Sequence, residues 1–431
     1  MAIAPNDRLM SVRADLLLER AVHGAGLSRD EALSLYTSPD VPLEALAEAA
    51  RELRRAHKGS AITYSPKVFL PLTNLCRDRC RYCTFRRDPS DAGAHWMEPE
   101  EVLAVARAGE ALGCKEALLS LGDRPEAVFP EAREWLRQRG FRRTLDYVAW
   151  ISDLLLDETR LFPHANPGLM ARSDLARLRE SNASLGLMLE STSTALFAAG
   201  GAHEDAVDKW PQRRLRTIQE AGELRIPFTT GILVGIGETA EDIVDSLLAI
   251  RELHHRYEHI QEVIVQNFLP KPEIPMHDWP APAPRAFART VAIARLVLGG
   301  EMNLQAPPNL SPGHLGLLLD CGINDWGGIS PLTLDFINPE APWPNVERLA
   351  ELTRSKGLEL RERFAVYPEY ALRPECHSPR IWKLLRERAN AEGYPRAASQ
   401  EVQACPERSE RVSRQETTSI CRFPPRDDRG K

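Results

Sequence analysis

Apolar and polar positions along this chain change rhythm near residue 60. Before it, apolar side chains recur at helical spacing. "SRDEALSLY" opens on Ser28 with Glu31 three residues on, a capping-box pattern. "PLEALAEAARELRRAHKG" keeps the helical period, turns basic in its last turns and stops at Gly59. Residues 1–60 are therefore predicted to be a helical N-terminal extension. From Lys67 onward short apolar runs alternate with longer amphipathic segments, the rhythm of βα units around a parallel sheet.

The predicted strands are "KVFLPL" (67–72), "EALLSL" (116–121), "LFPHA" (161–165), "ASLGLML" (183–189), "FTTGILV" (228–234), "EVIVQ" (262–266) and "MNLQA" (302–306), with a weaker one near "CGIND" (321–325). "EPEEVLAVARAGEALG" and "TAEDIVDSLLAIRELHHRY" are among the helices between them. Such a series predicts an α/β chain folded as a complete or nearly complete TIM-type barrel over residues 61–394. "FLPKPEIPMHDWPAPAPR" holds too many prolines for regular structure and reads as a loop. The last segment, 395–431, has many charges and almost no apolar period. It cannot bury enough surface to offset its ordering entropy and is expected to be disordered. Cys405 and Cys421, which lie there, are assigned no role.

Small or polar residues follow the predicted strands: Thr73 and Asn74, Gly122 and Asp123, Asn166, Glu190, Gly235 to Glu238, Asn267, Asn309 and Asp325. In a βα barrel such positions converge on the mouth formed by the strands' C-terminal ends. Loops are polar in any protein, so no single position decides this. The series, with a carboxylate after the fourth strand, favours a site.

Composition narrows the classes. No apolar run approaches the roughly 20 residues of a membrane span. The N-terminus lacks a signal-peptide apolar core, because Arg13, Asp15 and Glu19 interrupt it. A net charge of -6 without an extended basic run argues against nucleic acid as a partner. Eight cysteines in 431 residues are too sparse for a disulfide scaffold and fit a reducing cytoplasm. Clustered cysteines there read as metal ligands or redox centres.

Three of the eight are clustered, as Cys76, Cys80 and Cys83 in "NLCRDRCRYCTF". A structural zinc site takes four ligands, commonly in two C-x2-C pairs, and no second pair follows. A redox C-x-x-C pair has no use for Cys76. Iron–sulfur clusters usually take four thiolates, so three leave one iron open to a substrate or cosubstrate. The cluster reading is favoured, while zinc or incidental cysteines remain alternatives. The flanking Arg77, Arg79, Arg81, Arg86 and Arg87 suit an anionic thiolate centre or simply solvate the loop.

C-x3-C-x-aromatic-C after a first barrel strand resembles the radical S-adenosylmethionine (SAM) superfamily. "YSPKVFLPLTNLCRDRCRYCTF", "LSLGDRPE", "PHANPG", "LGLMLESTS", "IPFTTGILVGIGET", "IQEVIVQNFLPKP", "QAPPNL" and "GINDWGGISPLTLDFINPEAPWP" together resemble the family of deazaflavin synthase first subunits, over about residues 60 to 370. That resemblance implies a 4Fe–4S cluster on Cys76, Cys80 and Cys83, with S-adenosylmethionine as cosubstrate. It implies radical lyase chemistry on a uracil-derived substrate and a deazaflavin product, on the route to coenzyme F-420. The implied partners are the companion subunit of the synthase, which supplies the substrate, and an electron donor such as ferredoxin or flavodoxin. The nearest rivals are another radical enzyme of the same barrel and a zinc-stabilised scaffold.

Carried over residue by residue, the resemblance implies SAM contacts from Tyr82, from Gly122 with Asp123 or Glu126, from Glu190, and from Gly235 and Gly237. "LGDRPE" departs here from the Gly-Gly-Glu segment of many superfamily members, so which acid serves stays open. Gln266, Asn267, Asn309, Asn324, Asp325 and Trp326 are the expected substrate contacts: amides and a carboxylate for a pyrimidinedione and its ribityl chain, an indole for stacking. His164 and His314 are possible proton carriers with no assignment, and the catalytic residues are unknown at this level.

Overall fold

In the computed structural model, residues 5–396 are described. Eight parallel strands form a closed barrel: β1 (Ala61–Leu70), β2 (Glu116–Ser120), β3 (Phe162–Asn166), β4 (Ser184–Gly186), β5 (Phe228–Val234), β6 (Ile260–Asn267), β7 (Leu304–Gln305) and β8 (Asp325–Ile329). Closure is made by β1, which pairs β2 from Lys67↔Glu116 to Leu70↔Leu119 and β8 from Thr63↔Asp325 to Pro66↔Ile329. Helices lie between successive strands, as right-handed βα crossovers require. The α/β barrel expected from the sequence is the observed architecture.

The N-terminal segment is helical as predicted: α1 (Pro5–Val22), α2 (Arg29–Thr37) and α3 (Leu43–Lys58). The Ser28/Glu31 capping box forms, and Gly59 ends α3 at φ +61°. Arg289, on the outer helix Pro284–Leu298, donates to the carbonyls of Leu35, Tyr36, Ser38 and Val41. It thereby satisfies carbonyls that the end of α2 would otherwise leave unpaired. Leu17, Leu46 and Leu53 belong to the same buried cluster as Val68 and Val263, so these helices share the barrel's core.

Three strand boundaries differ from the sequence reading, and one strand is additional. β1 starts six residues earlier than expected, because its first half pairs a ninth strand, β9 (Glu359–Glu362), on the edge that β2 takes over from Lys67. β9 is not among the predicted strands; its residues are charged apart from Leu360, and all are exposed or half-buried. β4 is shorter than "ASLGLML"; beyond Gly186 only an isolated bridge joins Glu190 to Ile232. The correction that matters most for the site is β8, which begins where "CGIND" was expected to end. Helix Leu315–Asp320 runs up to this segment and Gly322, at φ +90°, turns the chain out of it. Asn324 and Asp325 therefore stand at the N-terminal end of β8, on the barrel floor. The segment 268–283 is irregular, as its prolines dictate. The expected tail, 395–431, lies outside the described residues apart from its first two. Among the described residues no helix is long and apolar enough to cross a membrane.

Candidate active site

The loop after β1 brings Cys76, Cys80 and Cys83 onto one wall of a cavity of about 250 Å³ at the barrel mouth. Main-chain hydrogen bonds fix its path. Cys83 N–H donates to Cys80 O (3.1 Å), Arg79 N–H to Asp205 O (2.9 Å), Arg81 N–H to Ala202 O (3.0 Å) and Arg77 N–H to Asp123 O (2.9 Å). Gly122, after β2, has no room for a side chain: a Cβ there would lie 2.0 Å from Leu75 O and 2.8 Å from Cys76 Cβ. Its close approach lets the next amide, Asp123 N–H, donate to Cys76 Sγ at 3.2 Å.

All three cysteines are free thiols. Burial, then the Asp123 charge, pushes the Cys76 thiol up; burial also raises Cys80, with Lys209 opposing. Ligand atoms of Asp78, Asp123 and Asp208 converge within 4.8 Å, whereas the cysteines form no such convergent group among the described residues. A single tetrahedral ion, with Zn–S near 2.3 Å, needs sulfurs about 3.8 Å apart. Three thiols spread more widely on one wall, without a fourth cysteine lining it, fit an iron–sulfur cluster better than a single ion.

The acidic trio braces the loop. Asp208 N–H donates to Asp78 (3.1 Å), and Arg124 pairs with both Asp208 and Asp123 (3.2 Å to the latter). Burial first, then Asp208, pushes the Asp123 carboxyl up to about 7 against the pull of Arg124. Asp123 lines the cavity. Glu126 does not: its carboxylate accepts from Thr144 N–H (3.1 Å) and Thr144 O–H (2.5 Å), capping helix Thr144–Glu158. Of the two acids expected there, Asp123 alone faces the cavity.

Glu190 also lines this cavity, at φ +67°, a left-handed conformation that costs a non-glycine residue on the order of 1 kcal/mol. Its backbone is held there by bonds to Gly231 O (2.9 Å) and from Leu233 N–H (3.0 Å). One carboxylate oxygen meets Lys209 Nζ, and the other meets the Tyr82 hydroxyl and His203 Nε2 (3.2 Å). Burial alone would raise this carboxyl, but Lys209, His203 and Arg214 outweigh it and hold it well below the usual range. Tyr82 therefore lines the cavity as a hydrogen-bond donor to Glu190.

A second cavity of about 180 Å³ lies deeper along the barrel axis. The two share Ser120, Asn166, Met188, Gln266, Ile337 and Asn338 as walls, so the mouth and the interior cavities adjoin. The inner wall is polar, with Lys67, Glu116, His164, Glu262, Gln305 and Arg363. Ser184 O–H donates to Ala365 O (2.7 Å), so the Ser184 oxygen accepts from His164 Nδ1–H (2.6 Å) and His164 Nε2 is left as an acceptor. Burial pushes the His164 imidazole down to about 4, so it is neutral. The sequence reading missed Lys67, Glu116 and Glu262 as site residues. The signal was a charge opening each of "KVFLPL", "EALLSL" and "EVIVQ", strands of a sheet covered on both faces. Ile337 and Asn338 were missed because nothing local shows that the segment after β8 folds back across the mouth. Lys271 anchors that segment by donating to Ile337 O (3.2 Å) and Asn338 Oδ1 (2.8 Å).

Gln266 and Asn267 line the outer cavity, with Asn267 also donating to Leu310 O (3.1 Å). The other expected substrate contacts line neither cavity. Asn309 braces the loop over the mouth through Asp335 (2.9 Å) and Ala341 O (3.2 Å). Asn324 accepts from Arg295 (2.8 Å) and donates to Asn303 (2.8 Å) on the barrel floor. Asp325 is buried against Arg363, and Trp326 is a core residue with 0% exposure. The register of β8 places all three of Asn324, Asp325 and Trp326 away from the mouth. Gly235 and Gly237 line a separate cavity beside Trp279 and Pro282: a Cβ would lie 2.5 Å from Pro282 at Gly235 and 3.1 Å from Trp279 at Gly237. Glu238 accepts from the amides of Gly235 (2.6 Å) and Ile236 (2.8 Å), closing that turn on itself. His314 is exposed and lines neither cavity.

Residues 70–250 match the radical SAM superfamily. The chain is 49% identical over 364 residues to an FO synthase of Nocardia farcinica, covering 82% of this chain and 42% of that protein. It is 47% identical over 337 residues to the 7,8-didemethyl-8-hydroxy-5-deazariboflavin synthase of Methanopyrus kandleri, covering 78% of this chain and 100% of that protein. The chain thus spans less than half the length of the Nocardia relative and all of the Methanopyrus one. Among solved structures, the FeFe-hydrogenase maturase HydG from Carboxydothermus hydrogenoformans superposes with a TM-score of 0.67 at 18% identity, over 89% of this chain and 91% of that one. At that identity the likeness speaks for the barrel fold alone.

Proposed function

The chain belongs to the 7,8-didemethyl-8-hydroxy-5-deazariboflavin synthases of the radical SAM superfamily, and on that premise we propose the following reaction. It converts 5-amino-5-(4-hydroxybenzyl)-6-(D-ribitylimino)-5,6-dihydrouracil to 7,8-didemethyl-8-hydroxy-5-deazariboflavin. Ammonia, methionine and 5'-deoxyadenosine are released. The enzyme is then a carbon–nitrogen lyase in coenzyme F-420 biosynthesis, fed by the companion synthase subunit and given its electron by a ferredoxin or flavodoxin.

The observation that carries this reading is the placement of Cys76, Cys80 and Cys83 on one wall of a mouth cavity that adjoins a second, polar one further in. Cys76, Cys80 and Cys83 would hold the 4Fe–4S cluster. When bound, cluster and SAM together supply a 5'-deoxyadenosyl radical for hydrogen abstraction. The chain's own residues orient and enclose. Asp123, presented by the tight Gly122 approach, takes the methionine amino group through charge-assisted hydrogen bonds. A carboxylate oxygen accepts more than one hydrogen bond, so Glu190 keeps capacity for a ribose hydroxyl beside Lys209. Gln266, Asn166 and Met188, on the wall common to both cavities, hold the substrate against the cofactor, and the segment around Asn338 excludes water from above. Anaerobic turnover with SAM, a reductant and the dihydrouracil substrate, read by mass spectrometry, tests this. Deazaflavin with stoichiometric deoxyadenosine is expected; deoxyadenosine with unchanged substrate overturns the substrate assignment.

A further inference from the structure

The inner wall carries two polar groups that its other charges do not use. Arg363 is committed to Asp325 (2.7 and 3.0 Å), Phe364 O (2.9 Å) and Glu262 (3.3 Å). Glu116 accepts from Ser65 (2.5 Å), and Glu262 also accepts from Thr229 (2.9 Å) and Tyr367 (3.1 Å). Lys67 differs. It is 8% exposed, and its ammonium has neither a hydrogen bond nor a carboxylate at ion-pair distance among the described residues. The faces of Trp343 (5.2 Å) and Phe69 (5.9 Å) lie near it, which offsets some charge but accepts no N–H. Gln305, 4% exposed, has an Oε1 without a partner, while its Nε2 donates weakly to Trp326 O (3.4 Å).

Both side chains line the inner cavity beside the same two glycines of β8. A Cβ at Gly328 would lie 2.5 Å from Lys67 Nζ, and one at the next residue back, Gly327, would lie 2.3 Å from Gln305 Nε2. The paired glycines of "DWGGI" are therefore the space into which Lys67 and Gln305 reach. Buried lysines and amides are ordinarily paired, because leaving them unpaired costs their full desolvation. His164 Nε2 is another open acceptor of this wall and stands beside Gly186 on β4.

An open donor and an open acceptor on the wall of one small cavity are complementary to a ligand edge that carries a carbonyl and a ring N–H. We propose, resting on the functional reading above, that Lys67 and Gln305 bind the imide edge of the substrate's pyrimidine ring: Lys67 Nζ donates to a ring carbonyl and Gln305 Oε1 accepts the adjacent ring N–H. The same edge persists in the deazaflavin product, so binding can be read without turnover.

The probes are the fluorescent product, 7,8-didemethyl-8-hydroxy-5-deazariboflavin, and its analogue methylated at the imide nitrogen, titrated by fluorescence anisotropy into the cluster-loaded full-length protein. The unaltered protein is expected to prefer the N–H probe by about tenfold or more, the cost of a buried acceptor left unpaired. Gln305→Leu is expected to lose that preference, and Lys67→Met to weaken both probes by about tenfold. A Gln305→Leu protein that keeps the preference, or a Lys67→Met protein that binds within about twofold of the parent, overturns the assignment. Equal binding of both probes by the unaltered protein overturns it without any variant. If the unaltered protein binds neither probe, the functional reading falls and this inference falls with it.

Discussion

Asp325 and Arg363 form a two-point ion pair on the barrel floor, Nε to Oδ2 at 2.7 Å and Nη2 to Oδ1 at 3.0 Å, with exposures of 0% and 2%. Thr63 O–H and Gly327 N–H complete the carboxylate's shell, so β1 and β8 close the barrel around one buried charge. Asp325→Ala leaves Arg363 without its main counter-ion. A loss of roughly 3–5 kcal/mol is expected in urea unfolding. A variant of parental stability but poor substrate binding would return Asp325 to the mouth.

Trp326 is among the largest fully buried side chains. Trp326→Ala opens a cavity in the layer between sheet and helices, at a cost of about 3–5 kcal/mol. The expected signature is a lowered unfolding midpoint, with the ratio of deazaflavin to deoxyadenosine unchanged in the protein that remains folded. A selective fall in that ratio would point to ring stacking.

Iron loading depends on the mouth cysteines and on no other described cysteine. Cys76→Ala, Cys80→Ala and Cys83→Ala should each lose cluster absorbance and deoxyadenosine formation. Cys114, Cys321 and Cys376 are buried elsewhere in the molecule, so their serine variants should keep parental iron content. Iron analysis after anaerobic reconstitution decides between these outcomes.

Gly122→Ala acts on the same centre through the backbone. Its Cβ would lie 2.0 Å from Leu75 O, a main-chain atom that cannot swing aside. The loop carrying Cys76 must shift. The expected protein is folded by circular dichroism with substoichiometric iron; full iron content would show that the loop yields without cost.

Glu190 contributes to stability with a definite pH sign. Its folded value lies well below its ordinary 4.5, because Lys209, His203 and Arg214 outweigh burial. That contribution is present above 4.5 and is lost as pH falls through the folded value. Lys209→Met removes the leading cation, and burial then pushes the carboxyl up. The variant should lose roughly 3–5 kcal/mol at about pH 8 and less at about pH 5, where more of Glu190 is neutral. Equal losses at both pH values in urea titrations would mean that another cation holds this carboxylate.

What the chain determines locally was legible in its sequence. The Ser28/Glu31 box and the stop at Gly59 involve residues within a few positions of one another, so spacing alone specifies them. The alternation of apolar strands and amphipathic helices sufficed for the barrel, because that pattern has few other ways to bury its apolar faces. Register was a different matter. Whether Asp325 or Ser330 stands at the mouth depends on a helix stop at Gly322 and on Arg363, 38 residues away, pairing with the strand's first residue. A shift of a few residues along a strand carries its side chains from mouth to floor, and no local signal fixes it. The same holds for Gly235 and Gly237, whose faces are filled by the distant Pro282 and Trp279. Sequence thus determined which chemistry the chain carries. Long-range packing alone decided which residues share the cavity with it, because contacts between distant segments leave no periodicity in either one.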